Sequence, residues 1–178
     1  MKRFLLDTNV FIEAYRRYYA FDLIPAFWDL LIDKSANGAL YTIDKVKTEI
    51  LKMEDDLSSW FNKYPTECII NTSNDNIVDN YSQIINHVSK NSRYRDSSKS
   101  EFASGADGWL LAVAKAESMI LVTQEVYIPD CRKKVPIPNV CREHDVEYVG
   151  TFEMMRRNGM IISWKSPESE NTNSLFMK

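Results

Sequence analysis

Short apolar runs alternate with amphipathic stretches along most of this chain. Phe4-Leu5-Leu6 ends at Asp7-Thr8-Asn9, the pattern of a buried strand running into a turn. A helical stretch rich in Tyr and Arg follows from about Val10 to Ala20. Asp22 is placed to cap a second helix, in which Phe27, Leu30 and Leu31 share one face and Pro25 sits acceptably in the first turns. Asn37-Gly38 stops it. Leu40-Tyr41-Thr42-Ile43 predicts strand two, with Asp44 as N-cap of a helix carrying Val46, Ile50 and Met53. A short helix around Leu57, Trp60 and Phe61 ends before Pro65, and Cys68-Ile69-Ile70 predicts strand three.

Ile77, Tyr81, Ile84, Ile85 and Val88 recur at helical spacing between about Asn74 and Ser89. The pattern then stops, and the polar run Ser89 to Ser104 reads as a loop. Ala106 to Ala116 predicts a helix and Ile120-Leu121-Val122 strand four. Tyr127 to Cys141 holds Pro129, Pro136 and Pro138 and reads as irregular. Val146 to Val149 predicts strand five, Phe152 to Arg157 a short helix, and Ile161-Ile162 an edge strand. Strands alternating with helices give one α/β domain over residues 1–164, a mostly parallel sheet of four to five strands with helices on both faces. Residues 165–178 read as a polar, frayed tail.

The 178 residues make about one domain with a real core. Neither an apolar span nor a signal-peptide core is present, so a cytoplasmic protein away from membranes is expected. Three scattered cysteines, Cys68, Cys131 and Cys141, do not form a disulfide framework. A net charge of −3 gives no bulk positive field for nucleic acid, which leaves room only for local basic residues. Arg16-Arg17, Arg93-Tyr94-Arg95, Arg132-Lys133-Lys134 and Arg156-Arg157 are such runs, and each reads by default as a solvated surface.

The candidate chemistry lies in carboxylates. Parallel α/β sheets bind ligands beyond the carboxyl ends of their strands. Strand one runs into Asp7 there, and strand four runs through Thr123 towards Glu125. Glu49 lies on the apolar stripe of its helix, between Val46 and Met53, and Asp107 falls in a first helical turn before Leu110 and Leu111. Asp107 there has an ordinary account in the helix dipole, and Glu49 in a stripe edge reaching solvent. If Asp7, Glu49, Asp107 and Glu125 converge, they repel, and either protons or a hard divalent cation must relieve them. Oxygen-only ligands select Mg²⁺ or Mn²⁺ over Zn²⁺. Asn9 and Thr123 would then support the ligands or touch phosphate; alternatively both cap local turns. Arg93, Arg95 and Lys99, in the polar run, are candidate RNA contacts.

Leu5-Leu6-Asp7-Thr8-Asn9-Val10-Phe11-Ile12 resembles the opening motif of PIN domains, including the VapC-type toxins of toxin–antitoxin pairs. Ile43 through Ile50, with Glu49, resembles their second motif; Ala106 through Ala112 the third; Leu121-Val122-Thr123-Gln124-Glu125 the fourth. Order and spacing agree from the start to about residue 160. Tyr18 through Asp22, Phe27-Trp28 and Lys134 through Cys141 are similar to one PIN-like subfamily within that group. The resemblance implies a three-layer fold and a metal-dependent endoribonuclease that cuts RNA as the toxin of a pair, neutralised by an antitoxin protein. One departure is Glu125, where such domains usually have Asp. A carboxylate is retained, one methylene longer.

Other readings fit less. A haloacid-dehalogenase-like phosphatase needs a second Asp where Asn9 stands, and a receiver domain needs an acid pair and a late Lys that are not found. Cys131, Cys141, His144 and remote Cys68 lack the close pair of a zinc site. His87 reads as a surface residue. The runner-up is a catalytically inactive PIN-like domain that binds protein or RNA. The aromatics Tyr15, Tyr18, Tyr19, Phe27 and Trp28 fit a filled core by default, or a partner or homodimer face.

Overall fold

The computed structural model describes residues 2–163. The tail assigned to 165–178 lies outside the described residues.

Strand β1 (Phe4–Leu6) is buried along its whole length, as a central strand covered on both faces must be. Its neighbours are β2 (Leu40–Ile43) and β4 (Ile120–Val122), with Phe4 in register with both Leu40 and Ile120. β3 (Ile69–Ile70) and β5 (Tyr148–Val149) form the edges, giving the order β3-β2-β1-β4-β5, with every pairing parallel. The carboxyl ends of all five strands therefore open on one edge of the sheet.

The connections are helical: α1 (Thr8–Glu13), α2 (Pro25–Ala36), α3 (Asp44–Leu51), α4 (Asp56–Phe61), α5 (Asp75–Lys90), α6 (Asp96–Ser104), α7 (Asp107–Ala116), α8 (Ile137–Glu143) and α9 (Thr151–Arg157). α7 is apolar nearly all round, with Leu110 to Ala114 buried, and it lies against β2 and β4 with α5, α6 and α8 packed on it. Gly108 permits the closest of these approaches: a Cβ there would meet Ile85 Cδ1 at 3.0 Å and Tyr81 Cε2 at 3.1 Å. At the other end of the core, Phe11 sits edge-on to Phe61 and Tyr64, at 5.3 and 5.9 Å between ring centres. Ser35 Oγ donates to the buried Tyr64 hydroxyl at 2.7 Å, and Trp28 Nε1 to the Tyr19 carbonyl at 2.7 Å.

Several expectations need correction. The polar run Ser89 to Ser104 contains α6, because Ser98 and Phe102 on one side give it a buried anchor that composition alone conceals. The proline-rich stretch to Cys141 contains α8, since Pro138 falls in the first turn, where no donor is needed. The first helix begins at Thr8 and changes at Ala14 into a π-helical turn that ends at Tyr18. The cap of α2 is Ile24 rather than Asp22. Asp44 is inside α3, not at its cap, and its carboxylate accepts from Thr72 Oγ1 at 2.9 Å. Ile161 and Ile162 are exposed and form no strand.

Candidate active site

The parallel sheet delivers Asp7 and Thr123 side by side. Pairing continues past β1 and β4, with Asp7 N donating to Val122 O at 3.1 Å and Thr123 N to Val149 O at 3.0 Å. Asp7 occupies the N-cap position of α1, yet its side chain makes no capping bond. It accepts instead from Thr123 Oγ1 at 2.9 Å. Asp7 is only 1 % exposed, and this burial pushes its carboxyl up to about 6; the Thr123 bond opposes the rise, while Glu125 and Glu49 add to it.

Asp107 opens α7 and lacks such a donor. Burial is again the main cause, followed by repulsion from Asp7 and Glu125, and the carboxyl is pushed up to about 8. Lys134 pulls in the opposite direction. Glu49 is held from two sides: Thr8 Oγ1 donates to Oε2 at 2.5 Å and Ala106 N to Oε1 at 3.1 Å. It thereby bridges α1 to the start of α7.

Glu125 is held differently. Its Oε1 is ion-paired with Lys134, its Oε2 accepts from Ile137 N at 2.8 Å, and its own N–H donates to Thr123 Oγ1 at 3.2 Å. The longer side chain thus ties the loop after β4 to the start of α8. Reciprocal bonds between Asn139 and the Ile128 backbone, at 3.0 and 2.6 Å, hold the middle of the same loop.

The four acids come from four separate parts of the chain, and the charges of Glu49 and Glu125 reach both Asp7 and Asp107. Oxygen donors of this kind suit a hard cation such as Mg²⁺ or Mn²⁺. As the side chains stand, no three Asp, Glu, His or Cys among the described residues form a ligand set for a metal ion. A proton on Asp107 and the Lys134 ammonium balance part of the charge instead. The donor chemistry fits a divalent ion; the ligands would have to draw together around it.

Two contributors were not legible as such in the sequence. Thr8, inside the opening motif, orients Glu49. Lys134, in a basic run read as solvated surface, enters the acid cluster, and no signal in the sequence marked it. Arg93 and Lys99 have acidic neighbours of their own: Arg93 lies 3.9 Å from Glu143, and Lys99 3.3 Å from Asp96. Arg95 uses its backbone N–H on Arg132 O. Cys68 and Cys141 are buried free thiols, Cys131 is a partly exposed one, and His87 pairs with Glu143 at 3.0 Å on the surface.

One solved structure shares this architecture. A chain of VapBC2 from Rickettsia felis, solved bound to a DNA fragment from its promoter, superposes with a TM-score of 0.51 at 14 % identity, over 83 % of this chain and 97 % of that one. FitAcB from Neisseria gonorrhoeae gives 0.47 at 18 % identity, over 82 % and 95 %. No curated protein matches the sequence. The profile of a family described as a domain of unknown function, DUF4411, matches residues 4–162. The chain belongs to the DUF4411 family, and its fold is that of a VapC-type PIN-like domain.

Proposed function

We propose that this protein is a Mg²⁺- or Mn²⁺-dependent endoribonuclease, the toxin of a toxin–antitoxin pair, with residues 1–164 as its single nuclease domain. The observation that carries this reading is the meeting of Asp7, Glu49, Asp107 and Glu125 at one sheet edge, with the carboxyls of Asp7 and Asp107 pushed up to about 6 and about 8 by burial and by their acidic neighbours. An ordinary structural site has no use for such strain, whereas a cation-binding one does.

A bound divalent ion would supply a Lewis acid for the phosphodiester and a water of lowered pKa. Asp7, Glu49, Asp107 and Glu125 are its ligands in this reading. Thr123 fixes the Asp7 carboxylate and Thr8 that of Glu49, so that neither has to be ordered when the ion arrives. Asn9 lines the cavity beside the acids and is assigned to phosphate. Arg93, Arg95 and Lys99 are assigned to the RNA backbone, where neutralising all three lowers both affinity and its salt dependence. The antitoxin, a protein partner, belongs to the same proposal, as does a homodimer.

The test is incubation with total cellular RNA, with and without Mn²⁺, beside Asp7→Asn and Asp107→Asn variants. Metal-dependent fragments from the wild type alone support the reading. A second reading, a non-cutting module that binds protein or RNA, is favoured by the engagement of both Glu125 oxygens with Lys134 and Ile137. Failure of calorimetry to detect Mg²⁺ or Mn²⁺ binding would select it.

A further inference from the structure

The chain contains two histidines, and the fold brings their rings together. His87 lies on α5, and His144 closes the last turn of α8, its backbone N–H donating to Val140 O at 3.1 Å and Cys141 O at 3.3 Å. The rings meet edge to face, with 4.9 Å between centres at 77°. His87 Nε2 is bonded to Glu143 Oε2 at 3.0 Å, and Arg93 Nη1 lies 3.9 Å from the other oxygen of Glu143. Among the described residues, two buried side-chain polar atoms lack a hydrogen-bond partner, and both belong to this seam. They are His144 Nε2 and the hydroxyl of Tyr94, a ring that the Glu143 charge also reaches. Buried polar atoms are nearly always paired, so two orphans in one place call for a reason.

The surroundings of His144 oppose a positive charge. Burial is the first cause that lowers its hold on a proton, followed by the Lys115 ammonium on α7 and by His87; Glu143 and Asp145 pull the other way and do not prevail. Geometry gives the same answer. A charged imidazole carries an N–H on both nitrogens, and an Nε2–H here has no acceptor. His87 behaves differently, since a proton on its ring completes an ion pair with Glu143. That charge then stands against His144 from across the seam. Acid therefore strengthens one half of this contact and turns it against the other.

What hangs on α8 gives the seam its reach. Ile137 N, in the first turn, holds Glu125 Oε2 at 2.8 Å, and Asn139 holds the Ile128 backbone by two bonds. At the far end the chain leaves the helix through Asp145, turned to a φ of 57°. We propose that the His87–His144 seam is a proton-operated clasp on α8: uptake of a proton by His144 opens the end of the helix and slackens the loop after β4. The sign follows from linkage. A ring that resists its proton when closed and accepts it when open favours the closed form above the ordinary histidine range, and this advantage is lost as pH falls below it. The clasp stands whatever chemistry the acids perform, and it reaches them through Glu125.

The experiment is hydrogen exchange of the full chain in EDTA between about pH 5 and 8, corrected for the intrinsic pH dependence of exchange, with α2 as the internal reference. Protection of α8 and of residues 126–134 should fall on acidification, with a slope approaching about tenfold per pH unit for one proton taken up. α2 should keep its protection. His144→Phe, which leaves Asp7 and Asp107 in place, should hold α8 closed throughout, and His87→Gln should flatten the fall in part by removing the opposing charge. A wild-type α8 indifferent to pH, or an equal loss in His144→Phe, overturns the clasp. Should His144→Phe fail to fold, the wild-type ring decides by NMR: a His144 that takes its proton in the ordinary histidine range or above it overturns the proposal, and one that takes it below supports it.

Discussion

Replacing Asp107 by Asn tests the electrostatics of the site apart from any catalysis. The folded protein holds the Asp107 proton more tightly than the unfolded chain does, with the carboxyl at about 8 rather than 3.8. The stability this lends is therefore fully present below about pH 4 and is lost as pH rises through 8. Between pH 5 and pH 9 the loss is about 4 kcal/mol at ~1.4 kcal/mol per pKa unit. Asp107 keeps part of its surface in solvent, so screening brings this down to about 2 kcal/mol. For a chain of this size that is a fall in Tm of roughly 4–8 °C. Asp7, raised only to about 6, contributes less over the same range and does so in both proteins. The assay is thermal unfolding in EDTA at a series of pH values. Wild type should lose stability steeply, and Asp107→Asn should follow a distinctly flatter curve. Parallel curves would refute the idea that Asp107 is squeezed between burial and its acidic neighbours.

Other outcomes follow from single contacts. Saturating Mn²⁺ should raise the wild-type Tm, with about 2.7 kcal/mol gained at a hundredfold excess over Kd, and should leave Asp7→Asn unmoved; equal shifts would place the ion elsewhere. Lys134→Met removes a cation from the acid cluster and should tighten Mn²⁺ binding several-fold by calorimetry, an effect on the order of 1 kcal/mol for a half-exposed pair; weaker binding would contradict this. Asn139→Ala breaks both bonds to Ile128, costs about 1–3 kcal/mol, and should speed proteolytic cleavage between residues 126 and 134; an unchanged digest would show the loop is held by something else. Gly108→Ala pushes a methyl onto Tyr81, which is pinned by its 3.7 Å stack on Trp109, and should cost about 1 kcal/mol in denaturant despite better helix propensity; a gain in stability would show that Tyr81 can move aside.

Much of the sheet was legible because its strands are short, wholly apolar and stopped by polar turns. Phe4-Leu5-Leu6, Leu40 to Ile43 and Ile120 to Val122 stand where expected, and the order of alternation implied parallel pairing. α6 and α8 were hidden for opposite reasons. α6 shows only Phe102 and Ser98 to the core, too few apolar positions to mark a period. α8 is apolar enough but carries a proline, which reads as a breaker unless its place in the first turn is known. At the site, Asp7 and Asp107 were legible from strand and helix boundaries. The attachments of Glu49 and Glu125 were not, since Thr8, Ala106, Lys134 and Ile137 reach them only through the fold. The basic run at Arg132 to Lys134 shows the limit of composition: Lys134 serves the acids, while Arg132 lends its carbonyl to Arg95.

The sheet order has a consequence for the timing of folding. β1, drawn from the start of the chain, is completed only by β4, and the Thr123–Asp7 bond joins residues 116 positions apart. Contacts this distant in sequence are slow to form, because the intervening chain must be closed into a loop before they repay its entropy. On a ribosome, a nascent chain holding β1 to α5 would own Asp7 and Glu49 but neither Asp107 nor the strand that buries Asp7. The carboxylate centre thus waits for the second half of the chain, and a polypeptide cut short before α7 by interrupted translation would emerge without it.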